Sequence, residues 1–107
     1  MRGPFLFEGT NMTYAKKIVL YCPNGYDPRL DALVEDFIRD GVMFVGVVGK
    51  DCSRVEDLID ALVVGDGSKD DFILTSFHKD ESIEEVVTFA KSLRLELDGL
   101  DVQVVTL

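Results

Sequence analysis

The amino-acid sequence predicts an α/β fold in which four parallel strands alternate with three helices, in the order βαβαβαβ. Short apolar runs alternate with amphipathic runs along the 107 residues. The amphipathic runs repeat apolar residues at spacings of three and four, which is typical of a helix with one buried side. The second apolar run, residues 42–48, contains no polar side chain, which indicates a strand buried on both faces of a parallel sheet.

Turn signals separate these runs and define the expected elements. The four predicted strands are residues 17–22, 42–48, 72–77 and 102–106. The three predicted helices are residues 28–40, 54–64 and 83–98. Gly41 is the expected end of the first helix, and Asp98 followed by Gly99 is the expected end of the third. The acidic stretch 66–71 is predicted to be a solvated connector, because its spacing does not match a calcium loop.

Each predicted helix is preceded by a residue that can accept hydrogen bonds from its free backbone N–H groups. Asp27 precedes Pro28, and proline is favourable at the first helical position because its missing N–H would have no partner there. The other two helices begin with serine–glutamate pairs at capping-box spacing, Ser53 with Glu56 and Ser82 with Glu85.

The polarity of the strands predicts their order in the sheet. The first two strands are the most apolar and belong at the centre, whereas the third and fourth carry polar residues and belong at the edges. This favours the order 3-2-1-4 over the flavodoxin-like order 2-1-3-4, which would leave residues 42–48 at an edge. With right-handed crossovers, the first two helices share one face and the third covers the other. The expected architecture is a three-layer, Rossmann-like α/β/α sandwich.

Residues 1–15 are predicted to form an N-terminal arm, and residues 16–107 a single α/β domain. The arm contains both chain-breaking and apolar residues, including Phe5, Leu6 and Phe7. Since one helix cannot cover a four-stranded face, we expect the arm to lie across the exposed part of the sheet. A homodimer in which the arm and the bare face meet is the other expected solution.

The net charge of −9 argues against binding to nucleic acid or to an anionic membrane surface, because both rely on Lys and Arg. No apolar run approaches the length of a membrane span, and residues 5–7 are too short for the core of a signal peptide. We therefore expect a cytoplasmic protein. An acidic surface favours solubility and can also attract a basic partner.

Two cysteines and one histidine supply three of the four ligands that a tetrahedral zinc site needs, so no metal is expected. Cys22 and Cys52 are predicted to be reduced and structural. His78 is predicted to be a solvated loop residue, because the sequence shows no recognisable serine–histidine–acid arrangement. The chain contains neither the dinucleotide-binding nor the nucleotide-binding glycine motif, so no cofactor is expected.

Chemistry in open parallel sheets takes place beyond the carboxyl ends of the strands. The catalytic candidates that fall at this edge are Cys22, Cys52 and His78. The ligand-binding candidates there are Asn24, Gly25, Lys50, Asp51, Ser53 and Lys79. Cys22 also precedes a helix N-terminus, where the helix dipole can lower the pKa of a thiol.

The sequence favours a small, acidic, non-enzymatic module that binds another protein. The carboxylates expected to form its docking face, on the first two helices, are Asp31, Glu35, Asp36, Asp57 and Asp60. A basic protein is the expected partner, since opposite charge accelerates association. The alternative is a small-molecule-binding protein or a thiol-dependent enzyme with its site at the carboxyl edge of the sheet.

Overall fold

A computed structural model describes residues 13–65, 72–93 and 101–107 of the chain. Its elements, in chain order, are β1 (Lys17–Cys22), α1 (Leu30–Asp40), β2 (Phe44–Gly49), α2 (Cys52–Val64), β3 (Leu74–His78), α3 (Ile83–Ser92) and β4 (Val102–Thr106). The predicted alternation of strands and helices is confirmed. β2 and β3 each begin two residues later and end one residue later than predicted, which brings His78 into a strand.

The four strands form one parallel sheet in the order β3-β2-β1-β4, which confirms the order predicted from strand polarity. β1 and β2 are almost entirely buried, whereas β3 and β4 are partly exposed. Paired residues in a parallel sheet point to the same face, so the register assigns the face of every strand residue. Ile18 and Val45, for example, share one face, and Val19 and Gly46 share the other.

Two apolar clusters fill the layers on either side of the sheet. The first joins the sheet to α1 and α2, and its strand residues are Ile18, Leu20, Cys22, Val45 and Val47. The second joins the sheet to α3, and its buried residues are Val19, Phe44, Val48, Val86 and Ala90. α1 and α2 also contact each other. The three-layer arrangement is therefore confirmed, with two helices on one face and α3 on the other.

A buried lysine attaches the end of α3 to the sheet. Lys17 is 2% exposed, and its Nζ donates hydrogen bonds to the carbonyl groups of Ala90 (2.9 Å) and Leu93 (3.0 Å). These carbonyls lie at the negative end of the helix dipole, where a cation is favourable. α3 ends at Ser92 instead of Asp98, because Leu93 turns to an extended conformation where Lys17 binds the carbonyls. Residues 94–98 of the predicted helix lie outside the described residues.

The three helix starts agree with the sequence to different degrees. The Ser82–Glu85 capping box is confirmed, with both reciprocal hydrogen bonds present. The prediction for α1 is wrong by two residues, because Pro28 belongs to a turn in which the N–H of Leu30 donates to the carbonyl of Asp27. The Asp27 carboxylate still accepts the N–H of Arg29 in that turn.

The Ser53–Glu56 capping box is wrong. α2 begins at Cys52, so Ser53 lies inside its first turn and not before it. The N-cap is Asp51, in a left-handed conformation with φ of 55°. Glu56 is instead within hydrogen-bond distance of the Thr75 hydroxyl on β3, at 3.2 Å.

Apolar side chains remain partly exposed on the α3 face, among them Leu74, Phe89 and Val104. The part of the predicted arm that the structure describes does not lie on the α3 face. Its Tyr14 packs edge-on against Phe37 of α1, on the opposite side of the sheet. Residues 1–12 of the arm and the connector 66–71 lie outside the described residues. Covering of the α3 face by the arm or by a second subunit stays a prediction. No helix in the described parts of the chain is both long and apolar enough to cross a membrane.

Replacing Lys17 by methionine is expected to lower the free energy of unfolding by about 1–3 kcal/mol, because two carbonyl groups lose a charged donor in a buried environment. Lys16→Met is the matched control, since the Nζ of half-buried Lys16 donates to one carbonyl among the described residues, that of Asp40, at 2.7 Å. Its cost should be below about 1 kcal/mol. Urea denaturation of both variants measures the difference, and equal losses would contradict a special role for Lys17.

Candidate functional site

A cleft of about 570 Å³ opens at the carboxyl edge of the sheet, where β2 and β3 end. The loop after β2 leads to α2 on one face, and the loop after β3 leads to α3 on the other. Adjacent loops that separate in this way create the crevice in which open α/β sheets bind ligands. The residues that line the cleft are Gly49, Lys50, Asp51, Cys52, Ser53, Arg54, Asp57, Lys79 and Asp80.

The backbone carbonyl of Cys22 holds the loops after β1 and β2 together. It accepts hydrogen bonds from the N–H groups of Lys50 (2.8 Å) and Gly25 (3.3 Å). Gly49 passes so close that a Cβ on it would lie 2.5 Å from this carbonyl oxygen, and its φ of +115° disfavours any other residue. The wall of the cleft is therefore built on rigid backbone.

The N-terminus of α2 forms one side of the cleft. The first hydrogen bond of the helix joins the N–H of Val55 to the carbonyl of Asp51. The N–H groups of the three preceding helical residues thus have no partner within the helix, and Asp51 makes no side-chain capping bond in the described chain. N–H groups without a helical partner, together with the helix dipole, favour a negatively charged ligand group at this position.

In the described parts of the chain, six charged side chains line the cleft, three of each sign. The cations are Lys50, Arg54 and Lys79, and the carboxylates are Asp51, Asp57 and Asp80. Among the residues that the structure describes, none of the three cations forms an ion pair within 4.0 Å. The cleft can therefore present donors to an anion and acceptors to hydroxyl or amino groups of the same ligand.

The ligand-binding candidates divide into two groups. Lys50, Asp51, Ser53 and Lys79 line the cleft together, although they follow two different strands. Asn24 and Gly25 belong to the neighbouring turn after β1 and do not line it.

Gly25 supports the cleft indirectly, because a Cβ on it would lie 2.9 Å from the carboxylate of Asp51. The ligand-binding candidates predicted from the sequence did not include Arg54 and Asp80, which also line the cleft, and Asp57 was predicted only for a docking face. Arg54 and Asp57 follow Ser53 on the first turns of α2, and this spacing is the signal that could have included them.

The two cysteines are buried in the cluster beneath α1 and α2. Burial, with a smaller contribution from Cys52, raises the pKa of the Cys22 thiol from its ordinary value of 9.0 to about 11. At neutral pH this thiol is almost entirely protonated, and a protonated thiol is a poor nucleophile. Cys52 lines the cleft but is only 3% exposed.

His78 does not lie in a solvated loop, and that prediction is wrong. It ends β3 with 7% of its surface exposed and packs at 4.9 Å against the ring of Phe89. Its Nε2 lies 2.7 Å from the Oγ of Ser76, and its Nδ1 lies 3.4 Å from a carboxylate oxygen of Glu81. The missed signal is the two-residue spacing of Ser76 and His78, which places both on one face of a strand.

Among the docking candidates, Asp31, Glu35, Asp57 and Asp60 are exposed on α1 and α2, and Asp36 forms an ion pair with Arg39 at 2.9 Å. Carboxylate oxygens of Glu56, Asp57 and Asp60 lie within 4.8 Å of one another. Burial, followed by repulsion from Asp60 and Asp57, raises the pKa of Glu56. The negative charge on α2 is thus concentrated in one place.

The chain belongs to the family described as Domain of unknown function (DUF7684), which matches residues 7–104. No curated protein and no solved structure matches the chain. The family description names no ligand and no reaction.

The raised pKa of Cys22 predicts a loss of stability at alkaline pH. Between about pH 9 and pH 11 the unfolded thiol is ionised while the folded thiol keeps its proton. The contribution of the buried Cys22 thiol to the free energy of unfolding is therefore fully present below about pH 9 and is lost as the pH rises to about 11. Urea denaturation of the wild type and of Cys22→Ala, followed across this range, should give stability curves that converge as the pH rises. Parallel curves would contradict the assignment.

Proposed function

We propose that this domain binds a small phosphate ester that also carries hydroxyl groups, such as a sugar phosphate, in the cleft between the loops after β2 and β3. The observation that carries the proposal is the meeting of Lys50, Arg54 and Lys79 with the N-terminus of α2 at the point where the loops separate. Phosphate groups favour such positions, because backbone N–H groups and cationic side chains stabilise them together.

The carboxylates of the cleft narrow the class of ligand. Asp51, Asp57 and Asp80 would repel a ligand that is anionic throughout, but they accept hydrogen bonds from hydroxyl groups. A ligand with one anionic end and a neutral polyhydroxyl part satisfies both sets of side chains. The balance of charges also disfavours a long polyanion such as nucleic acid.

The proposed activity at this cleft is binding without thiol catalysis. The buried and protonated Cys22 supports this, because a reactive cysteine needs an accessible thiolate. We place the protein in the cytoplasm, where two buried free thiols stay reduced and phosphorylated metabolites are abundant.

Titration of the ¹⁵N-labelled protein with glucose 6-phosphate as a probe tests the proposal by NMR. We expect shifts of the amide signals of residues 50–54, with weaker effects from inorganic phosphate and little effect from glucose. The double variant Lys50→Glu with Lys79→Glu should bind the probe at least about tenfold more weakly, because it removes two charged donors. Lys91→Glu on α3 is the control, because Lys91 is exposed and does not line the cleft.

Two results would contradict the proposal. One is the absence of shifts at residues 50–54 with either phosphate compound at millimolar concentration. The other is equal affinity of the wild type and the Lys50→Glu, Lys79→Glu variant.

A second candidate function is docking of a basic protein on the acidic face of α1 and α2. The supporting observation is that these two helices lie in contact on one face of the sheet and expose Asp31, Glu35, Asp57 and Asp60. The net charge of −9 extends the negative potential beyond these residues. Association through this face would be fast and sensitive to salt.

Pull-down from the native host at low and at high salt tests the docking face. The wild type should retain a basic protein at low salt and lose it at high salt. Glu35→Lys with Asp60→Lys should abolish retention, because it places positive charge on both helices of the face. Glu84→Lys with Asp101→Lys changes the net charge equally at exposed positions elsewhere and should leave retention intact. Retention by both variants would contradict the assignment of the face.

A further inference from the structure

Three side chains around the end of β3 form a hydrogen-bonded chain separate from the cleft lining. The Oγ of Ser76 lies 2.7 Å from the Nε2 of His78. On the other side of the imidazole, Nδ1 lies 3.4 Å from the Oε2 and 3.3 Å from the Oε1 of Glu81. Ser76 and Glu81 are partly accessible, whereas His78 is buried beside the ring of Phe89. The connectivity is that of a nucleophile, a base and an orienting acid.

The partners of the imidazole determine its tautomer. An ionised carboxylate only accepts hydrogen bonds, so the Nδ1 that faces Glu81 carries the proton. In the neutral ring Nε2 is then an acceptor, and the hydroxyl of Ser76 must donate to it. A serine hydroxyl that donates to a histidine nitrogen is oriented for proton transfer, because the base already lies along the O–H bond.

We propose that Ser76 is the nucleophile of an ester-hydrolysing centre, with His78 as general base and Glu81 as the positioning residue. The Oγ of Ser76 attacks the carbonyl carbon of a carboxylic ester while its proton moves to the Nε2 of His78. The bond to the alcohol oxygen breaks, and the alcohol leaves with the proton from Nε2. Water then attacks the acyl group on Ser76, gives a proton to His78, and releases the carboxylic acid as Ser76 recovers its hydrogen.

Apolar surface beside the hydrogen-bonded side chains of Ser76, His78 and Glu81 indicates the class of ester. Leu74 lies on the same face of β3 as Ser76, two residues earlier, and is 39% exposed. Phe89 of α3, in contact with the imidazole of His78, is also 39% exposed. An apolar acyl group would bury part of both side chains, which favours esters of short apolar acids over charged ones. This centre does not depend on the binding proposed for the cleft.

Labelling with an alkyl fluorophosphonate tests Ser76 directly. Its hydroxyl oxygen displaces fluoride from phosphorus and its proton passes to His78, so one adduct per chain should form. Peptide mass spectrometry should place that adduct on Ser76. Ser76→Ala should abolish labelling, whereas Ser92→Ala, which removes an exposed serine of α3, should leave it unchanged. His78→Gln should slow labelling at least about 100-fold, because it removes the base.

The positioning role of Glu81 is tested by a measurement that would stay the same if the residue were only structural. Glu81→Gln keeps the size of an exposed side chain and should slow labelling at least about tenfold. It should also move the midpoint of the labelling rate against pH to lower pH, because the imidazolium loses a stabilising negative charge. Thermal denaturation of each variant identifies those that remain folded, and Glu81→Gln keeps the test informative if His78→Gln unfolds.

Three results would overturn the proposal. The first is no adduct at Ser76 after prolonged exposure to millimolar reagent. The second is an adduct distributed over several exposed serines. The third is labelling of Ser76 at an unchanged rate in folded His78→Gln or Glu81→Gln, which would show that the hydrogen-bonded chain does not activate the hydroxyl.

Discussion

Burial of the two central strands on both faces is the constraint from which the rest of the structure follows. β1 and β2 pair with each other, and apolar layers cover both of their faces. Each fully buried aliphatic or aromatic side chain contributes about 1.5–3 kcal/mol, so neither face can be left open to water. Helices must therefore lie on both sides. Since α2 and α3 take opposite sides, the loops after β2 and β3 separate and open the cleft.

Backbone geometry, more than side-chain chemistry, gives the cleft its shape. The carbonyl of Cys22 accepts two N–H groups from separate loops, and Gly49 passes too close to it for any side chain. Asp51 then takes a left-handed conformation, which starts α2 immediately at Cys52. The short connection places the N-terminus of α2 and the side chains of its first turn directly against the opening.

The net charge of the protein and the charges at the cleft favour different partners. The net charge of −9 suits a basic protein partner, and α1 and α2 carry much of the exposed negative charge. At the cleft, however, Lys50, Arg54 and Lys79 come together from two loops and balance three carboxylates. A small ligand responds to the charges within a few ångströms, because salt screens the more distant ones. Both proposals are therefore compatible within one molecule.

The sequence by itself determined the fold class, the order of the strands and the capping of α3, because these depend on local polarity and on neighbours within four residues. The strand without polar side chains had to be central, and Ser82 and Glu85 satisfy each other across one helical turn. Only the tertiary structure decided the early start of α2, the end of α3 above Lys17, and the meeting of His78 with Glu81. The first two depend on contacts between elements distant in the chain, and the third depends on the turn that returns Glu81 to the end of β3. Local periodicity carries no information about such contacts.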